Sequence, residues 1–189
     1  MRSLKFLLIH QNFPGQFRQL APFLYEQGHE IVAICSHKRT IMGKYRVFRY
    51  AVPAKPPEGL PYSSQLAHEA FQRSSEVARI CGQLQAEGWT PDLICAHSGW
   101  GETLAIKEIW PGIPQIIWPE LWLRPEHAGW GLDPERPRPS LDQQLEHVGR
   151  NTLTRAALSQ ASAWVLPTLH QARSFPEEFQ DNRMQVIHE

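Results

Sequence analysis

The sequence has no excess of charge of either sign. It carries 19 basic and 19 acidic residues among 189, so its formal net charge at neutral pH is zero. It also lacks a basic stripe or a run of like charges, which a protein that binds a nucleic-acid backbone normally shows. Nucleic acid is therefore not a favoured partner.

Long apolar runs are also missing. No stretch approaches the roughly 20 apolar residues that cross a membrane. The apolar run that follows Lys5 is too short for a signal peptide, and no cleavage site follows it. We therefore expect a cytoplasmic protein, with peripheral contact at the inner face of the membrane left open.

Cysteine is scarce, and its spacing excludes the common metal motifs. Cys35, Cys81 and Cys95 form no CxxC pair. An odd number of cysteines in apolar surroundings predicts reduced, buried thiols in a reducing compartment. The strand-end histidines show no i, i+2 or i, i+4 ligand pair either. We expect neither a metal nor a bound cofactor.

Glycine is sparse where a dinucleotide site would need it. Such sites show G-x-G-x-x-G after the first strand and an acidic residue at the end of the second. Here the first turn, 12–15, has the single glycine Gly15, and the second strand ends in Cys-Ser-His-Lys-Arg at 35–39. Lys38 and Arg39 would suit a 2′-phosphate, so an NAD(P)-binding Rossmann oxidoreductase stays as an alternative.

What the chain does contain is a strand, a sharp turn and a helix at its start. Residues 6–9 are continuously apolar, as in a strand covered on both faces. From Gly15 onward Phe17, Ala21 and Leu24 take helical spacing. A second apolar strand follows at 31–35. This order is a βαβ unit, which implies parallel strands.

Strands and helices alternate through the rest of the chain. Further strands are predicted at 45–52, 93–97, 114–118, 163–166 and 184–187, and helices at 63–87, 102–110, 140–161 and 168–175. The pattern predicts an α/β fold, a Rossmann-like, doubly wound and mostly parallel sheet with helices on both faces. We expect one such domain over residues 1–189.

For two of these helices the sequence also predicts the capping residue and the buried face. Ser63 or Ser64 should cap the helix at 63–87, whose predicted buried face includes Phe71. Ser140 and the glutamine at 143 form a capping box for the helix at 140–161. The inward face of that helix is expected at Leu141, Leu145, Val148 and Ala156.

Ligands of such sheets bind at the carboxyl ends of the strands. Candidates there are Asn12, His97 with Ser98, and Glu120, which either accepts a hydrogen bond in the cleft or lies in solvent. The segment 121–139 is rich in proline and glycine, so it should be irregular and lie on the cleft side. Its residues Trp122 and Trp130 are candidates for stacking on an acceptor sugar.

The turn at Gly15 suits an anion. A helix that begins after a parallel strand offers free N–H groups, and a glycine lets a phosphate approach the backbone. The alternative is that Gly15 only allows the chain to turn and the helix to pack. A single glycine does not decide between them.

Four stretches together resemble the retaining GT-B glycosyltransferases of family 4. They are His10-Gln-Asn-Phe-Pro-Gly-Gln-Phe17, Pro91-Asp-Leu-Ile-Cys-Ala-His97, Val165-Leu-Pro-Thr168 and Val186-Ile-His-Glu189. The resemblance implies that the chain is the N-terminal, acceptor-side half of a two-domain enzyme. The C-terminal domain that grips the nucleotide would then lie outside these residues.

The resemblance also implies roles for individual residues. Gly15 and Gln16 would meet the diphosphate of a nucleotide-sugar donor, and His97 would touch the transferred sugar. By their place at strand ends, Asn12, Ser98 and Glu120 are candidates to line the cleft or to contact a saccharide or lipid-linked acceptor. A non-catalytic α/β module that binds a peptide remains an alternative function.

Overall fold

The computed structural model describes residues 2–36, 45–51, 54–125, 134–135 and 139–188. Within them lies one sheet of seven parallel strands, in the spatial order β3-β2-β1-β4-β5-β6-β7. The strands are β1 (Lys5–Ile9), β2 (Glu30–Cys35), β3 (Arg46–Arg49), β4 (Leu93–His97), β5 (Gln115–Trp118), β6 (Ala163–Leu166) and β7 (Met184–Val186).

Five α-helices connect the strands in the described part of the chain. They are α1 (Leu20–Glu26), α2 (Tyr62–Ala86), α3 (Ile106–Ile109), α4 (Leu141–Gln160) and α5 (Leu169–Ser174). Short 3₁₀ turns occur at Gly15–Arg18 and Glu177–Phe179. The predicted Rossmann-like α/β fold is confirmed.

The strand order reverses between β1 and β4. The chain runs outward from β1 through β2 to β3, returns along α2, and places β4 on the other side of β1. Such a reversal separates the turns that leave the two central strands, so a crevice opens between them. The turns after β1 and β4 therefore border the expected ligand crevice.

The apolar core is larger on one face of the sheet than on the other. On the first face the strands pack against α2 to α5, around Ile9, Ala96 and Trp164. On the second face α1 and the turn before it cover β1 and β2, with Phe17 buried. On this second face β4, β5 and β6 contribute Cys95, Trp118 and Val165 to an open groove of about 740 Å³.

Several local predictions are confirmed. Ser140 Oγ accepts a hydrogen bond from the Gln143 backbone N–H, and the Ser140 backbone N–H donates to Oε1 of Gln143, as a capping box requires. All three cysteines are buried free thiols. β3 lies at a sheet edge.

Other predictions about the helices are wrong. α2 begins at Tyr62 without a side-chain cap, so neither Ser63 nor Ser64 caps it. Residues 102–105 form turns, and α3 is a single helical turn that buries Ile106. Phe71 on α2 is exposed.

The predicted inward face of α4 is wrong at three of its four residues, and the fourth, Ala156, is half-buried. Leu141, Leu145 and Val148 are exposed, whereas Leu153 and Ala157 are buried. At about 100° per residue, the first three lie on average about 130° around the helix axis from the buried pair. The apolar spacing of the first turns therefore marked a surface stripe.

Candidate functional site

Two histidines stand side by side where the central strands end. Ile9 of β1 is in register with Ala96 of β4, so the next residues, His10 and His97, are neighbours. Their ring centroids are 4.9 Å apart, and both side chains are buried. The two rings therefore lie at the strand-order reversal, where the ligand crevice is expected.

His10 is fully hydrogen-bonded, and its partners determine its tautomer. The backbone N–H of Asn12 donates to Nδ1 of His10 over 2.9 Å, so this nitrogen carries no proton. The Nε2 nitrogen therefore holds the proton of the neutral ring and donates to Oε1 of Gln16 over 2.7 Å. A histidine held this way is a donor at one defined atom.

Glu120 joins the turn after β1 to the end of β4. Its Oε1 atom accepts a hydrogen bond from the Gln16 amide over 3.1 Å and lies 3.0 Å from Nε2 of His97. Glu120 follows β5 and has a φ of 63°, in the left-handed region. The carboxylate is thereby held against groups from two other strand ends.

His97 is the less satisfied of the two histidines. The Glu120 carboxylate lies off the direction of its ring N–H, and neither ring nitrogen has a well-aligned partner among the described residues. Its side chain is 3% exposed, whereas that of Glu120 is 53% exposed. Glu120 is thus the accessible member of the pair, and His97 lies behind it.

Burial and charge set the protonation of this cluster. Desolvation, followed by the neighbouring His97, lowers the pKa of His10 to about 4, so His10 is neutral at pH 7. The contact with His97 lowers the pKa of Glu120, so its carboxylate is ionised. An ionised carboxylate beside imidazoles at an open edge can accept hydrogen bonds from the hydroxyls of a polar ligand.

The predicted residue Gly15 is required by its own neighbours. Its φ is 44°, and a Cβ built on it would lie 2.5 Å from Cε1 and Nε2 of the His10 ring. Gly15 opens a four-residue 3₁₀ turn rather than the predicted longer helix. The structure therefore gives the glycine a packing role, since any side chain there would displace His10.

Tyr50 and Glu102 form a second polar pair near the site. Tyr50 Oη donates to Oε1 of Glu102 over 2.9 Å, and Glu102 is fully buried. Burial raises the pKa of Glu102. Sequence reasoning missed this residue and His10 as site components, although both adjoin strand-end turns that it did identify.

The acceptor candidates are divided by the structure. Asn12 is exposed beside His10, and Ser98 is buried. Trp122 is also buried, because its ring packs on Phe175 and Phe179. This core position argues against the predicted stacking role, while Trp130 lies outside the described residues.

The segment after Glu120 is irregular as far as it is described. Residues 121–125 form no helix or strand. Leu123 exchanges two backbone hydrogen bonds with the side chain of Asn151 on α4, at 2.9 and 2.8 Å. The remaining tests of the prediction for 121–139 fall on residues 126–133 and 136–138, which lie outside the described part.

Among the helices that the structure describes, none combines the length and the apolar character of a membrane span.

Solved structures of similar fold share little sequence with this chain. A variant of Os79 from O. sativa in complex with UDP is 10% identical, with a TM-score of 0.58, and the match covers 96% of this chain and 51% of that one. UDP-GlcNAc 2-epimerase from Methanocaldococcus jannaschii is 15% identical, with a TM-score of 0.52, over 98% of this chain and 45% of that one.

A UDP-glucose: anthocyanidin 3-O-glucosyltransferase in complex with UDP is 13% identical, with a TM-score of 0.56. That match covers 100% of this chain and 53% of the other. The chain thus spans about half the length of the solved structures it matches. At these identities the likeness concerns the fold alone.

No curated protein matches the sequence. A family model does match, described as the glycosyl transferase family 4 group, and the match covers residues 27–189. It begins after the turn that holds His10 and Gly15 and includes His97 and Glu120. By this match over most of its length, the chain belongs to the glycosyl transferase family 4 group.

Proposed function

We propose that this domain is the N-terminal half of a retaining glycosyltransferase. The enzyme would move a sugar from a nucleotide-sugar donor to a glycan or lipid-linked saccharide. The observation that carries the proposal is the His97–Glu120 pair, 3.0 Å apart in a crevice between two parallel strand ends. Its location fits the rule that ligands of such sheets bind there.

The pair would hold the transferred sugar by its hydroxyl groups. In glycosyl transfer the bond between the sugar and the diphosphate breaks, and positive charge develops on the sugar. Polar groups that are already oriented stabilise that state without rearrangement. Glu120 would accept from a hydroxyl directly, and His97 would bind the sugar or orient Glu120. His97 is not assigned as a nucleophile.

The leaving diphosphate would lie at the turn after β1 in this proposal. Gly15 has no side chain, and Gln16 and Arg18 line the same groove, with Arg18 exposed. A guanidinium can neutralise a leaving diphosphate without a metal. Asn12, beside this turn, is proposed to contact the acceptor.

A second domain is part of the proposal, because the similar structures are about twice as long as this chain. That domain would grip the nucleotide. The 189-residue chain alone should then transfer no sugar and bind UDP- or GDP-sugars weakly. We further propose that the enzyme works in the cytoplasm, with an acceptor presented at the membrane surface.

The proposal is tested with the whole protein, which includes any sequence beyond Glu189. A panel of nucleotide sugars and saccharide acceptors is assayed with wild type and with Glu120→Gln, which keeps the size of the side chain and removes its charge. We expect transfer with retained anomeric configuration, reduced at least tenfold in the variant. Absence of any transfer, or tight binding of NADPH, would overturn the proposal.

A further inference from the structure

The hydrogen bonds around His10 run in one direction. A backbone N–H can only donate, so the contact from Asn12 keeps Nδ1 of His10 unprotonated. The neutral ring then has its proton on Nε2, which lies 2.7 Å from Oε1 of Gln16. A single main-chain group therefore determines which His10 nitrogen donates.

The same constraint passes through the Gln16 amide. Its oxygen is occupied by His10, so its NH₂ group faces away and donates to Oε1 of Glu120 over 3.1 Å. An amide cannot accept at one end without presenting a donor at the other. The tautomer of His10 thus selects the amide orientation that attracts the Glu120 carboxylate.

Packing fixes the ring at the start of this chain of hydrogen bonds. The His10 imidazole is buried, meets the Phe17 ring edge-on at 6.2 Å and lies directly under Gly15. Because a Cβ at Gly15 would overlap the ring, the glycine is what allows this placement. The imidazole is therefore oriented before any ligand arrives.

We infer that His10 is a positioning residue, which acts through Gln16 to hold the Glu120 carboxylate beside His97 and leave its second oxygen for a substrate hydroxyl. This inference rests on the proposed function for its catalytic consequence, but the hydrogen-bond chain itself does not. On this inference the turn after β1 positions the Glu120 carboxylate that would bind the sugar, in addition to any contact that the turn makes with a diphosphate.

The first experiment tests the hydrogen-bond chain without activity. Long-range ¹H–¹⁵N spectra of the 189-residue chain at pH 7 should show His10 neutral with its proton on Nε2, assigned by its loss in His10→Gln. In Gln16→Met, which keeps length and removes both hydrogen bonds, the imidazole signals of His97 should shift because Glu120 is released. A proton on Nδ1 of His10, or unchanged His97 signals, would overturn the inference.

The second experiment measures turnover in the whole protein with a matched pair of variants. His10→Gln can place its amide NH₂ where Nε2 was, whereas His10→Asn is too short to reach Gln16. We expect His10→Asn and Gln16→Met to lower kcat about tenfold to hundredfold, the scale of a misplaced group, with little change in KM. His10→Gln should recover most of that loss.

Failure of the inference about His10 and failure of the proposed function give different results in these experiments. If His10→Gln is as impaired as His10→Asn while both melt like wild type, the donor at Nε2 does not matter and the inference fails. If the wild-type whole protein transfers no sugar, the proposed function fails, and the spectra of His97 still decide whether His10 positions the carboxylate.

Discussion

The turns after β1 and β4 have the same arrangement of a histidine and a glycine, but the two histidines differ in their hydrogen bonds. Each begins with a buried histidine, His10 or His97, and each brings a glycine over the ring. A Cβ on Gly15 would lie 2.5 Å from the His10 ring, and one on Gly99 would lie 3.3 Å from Cε1 of His97. His10 has a partner at both nitrogens, while in the described part of the chain the one polar contact of the His97 ring nitrogens is the off-axis contact with Glu120.

This difference indicates that the His10 ring is held by the protein itself, whereas the His97 ring is available to bind a ligand. A buried polar group without a partner costs free energy, so its persistence calls for an explanation such as a ligand contact. His10 meets its requirement within the chain. His97 does not among the described residues, which supports giving the substrate role to the turn after β4.

The largest effect should come from Gly15→Val, which breaks the turn after β1. A β-branched residue at a φ of 44° is strained, and its Cβ would overlap His10. We expect a loss of about 3 kcal/mol or more in unfolding free energy, which is roughly 6–12 °C in melting temperature for a domain of this size. Thermal melting of the 189-residue chain measures it.

Gly28→Val is the matched control for that substitution. Gly28 also has a positive φ, 83°, but a Cβ there meets nothing within 4 Å. It therefore reports the backbone strain alone. If both variants melt at the same temperature, the overlap with His10 contributes nothing, and the glycine is needed only for the turn.

The two turns show which parts of the site can be predicted from the sequence. Apolar runs and turn residues predicted the parallel sheet and placed Gly15, His97 and Glu120 at strand ends, because these follow from local pattern and chain direction. The close approach of the His10 ring to Gly15 could not be predicted, since it depends on two residues folding back on each other.

Long-range packing explains the other failures. Trp122 lies in a loop by sequence, yet its ring is buried against Phe175 and Phe179. Leu145 has helical spacing with its apolar neighbours, yet it is exposed. The residues that α4 buries include Leu153 and Ala157, and the helix contacts α2 and β5. Periodicity identifies an apolar stripe without identifying what packs on it.

The next effect concerns the turn after β4. His97→Ala in the whole protein should lower turnover on the order of 10²-fold, as expected for one lost preorganised polar group. Because neither ring nitrogen has a well-aligned partner among the described residues, the substitution removes little hydrogen-bond energy from the folded state. Turnover and melting are measured side by side. A collapsed melt with turnover within a few-fold of wild type would make His97 a core residue.

A smaller effect is expected on the pH dependence of stability, because His10 has a lowered pKa in the folded state. Its folded-state pKa of about 4 lies below its ordinary value of 6.5, so between these values the unfolded chain binds more protons. His10 therefore destabilises the fold as pH falls through this window. Between pH 7 and pH 5 wild type should lose about 2 kcal/mol more unfolding free energy than His10→Gln.

Urea unfolding of both proteins at the two pH values measures that difference. Burial raises the pKa of Glu102, which acts on stability in the opposite direction and is common to both proteins. Equal losses in wild type and His10→Gln would mean that His10 is already protonated at pH 5, and its two hydrogen bonds would need another explanation.

The smallest effect on stability should come from Gly99→Ala. Gly99 has no positive φ, and its Cβ would lie 3.3 Å from Cε1 of His97, so the ring must move by a few tenths of an ångström. Since His97 has no well-aligned hydrogen bond to a described residue that would break, the shift should cost less than about 1 kcal/mol. The same shift moves the ring relative to Glu120, so turnover should fall several-fold.

Gly112→Ala, whose Cβ meets nothing within 4 Å, is the control and should change neither quantity. If Gly99→Ala instead melts as far below wild type as Gly15→Val does, the His97 ring is held as rigidly as that of His10, and the contrast between the two turns fails.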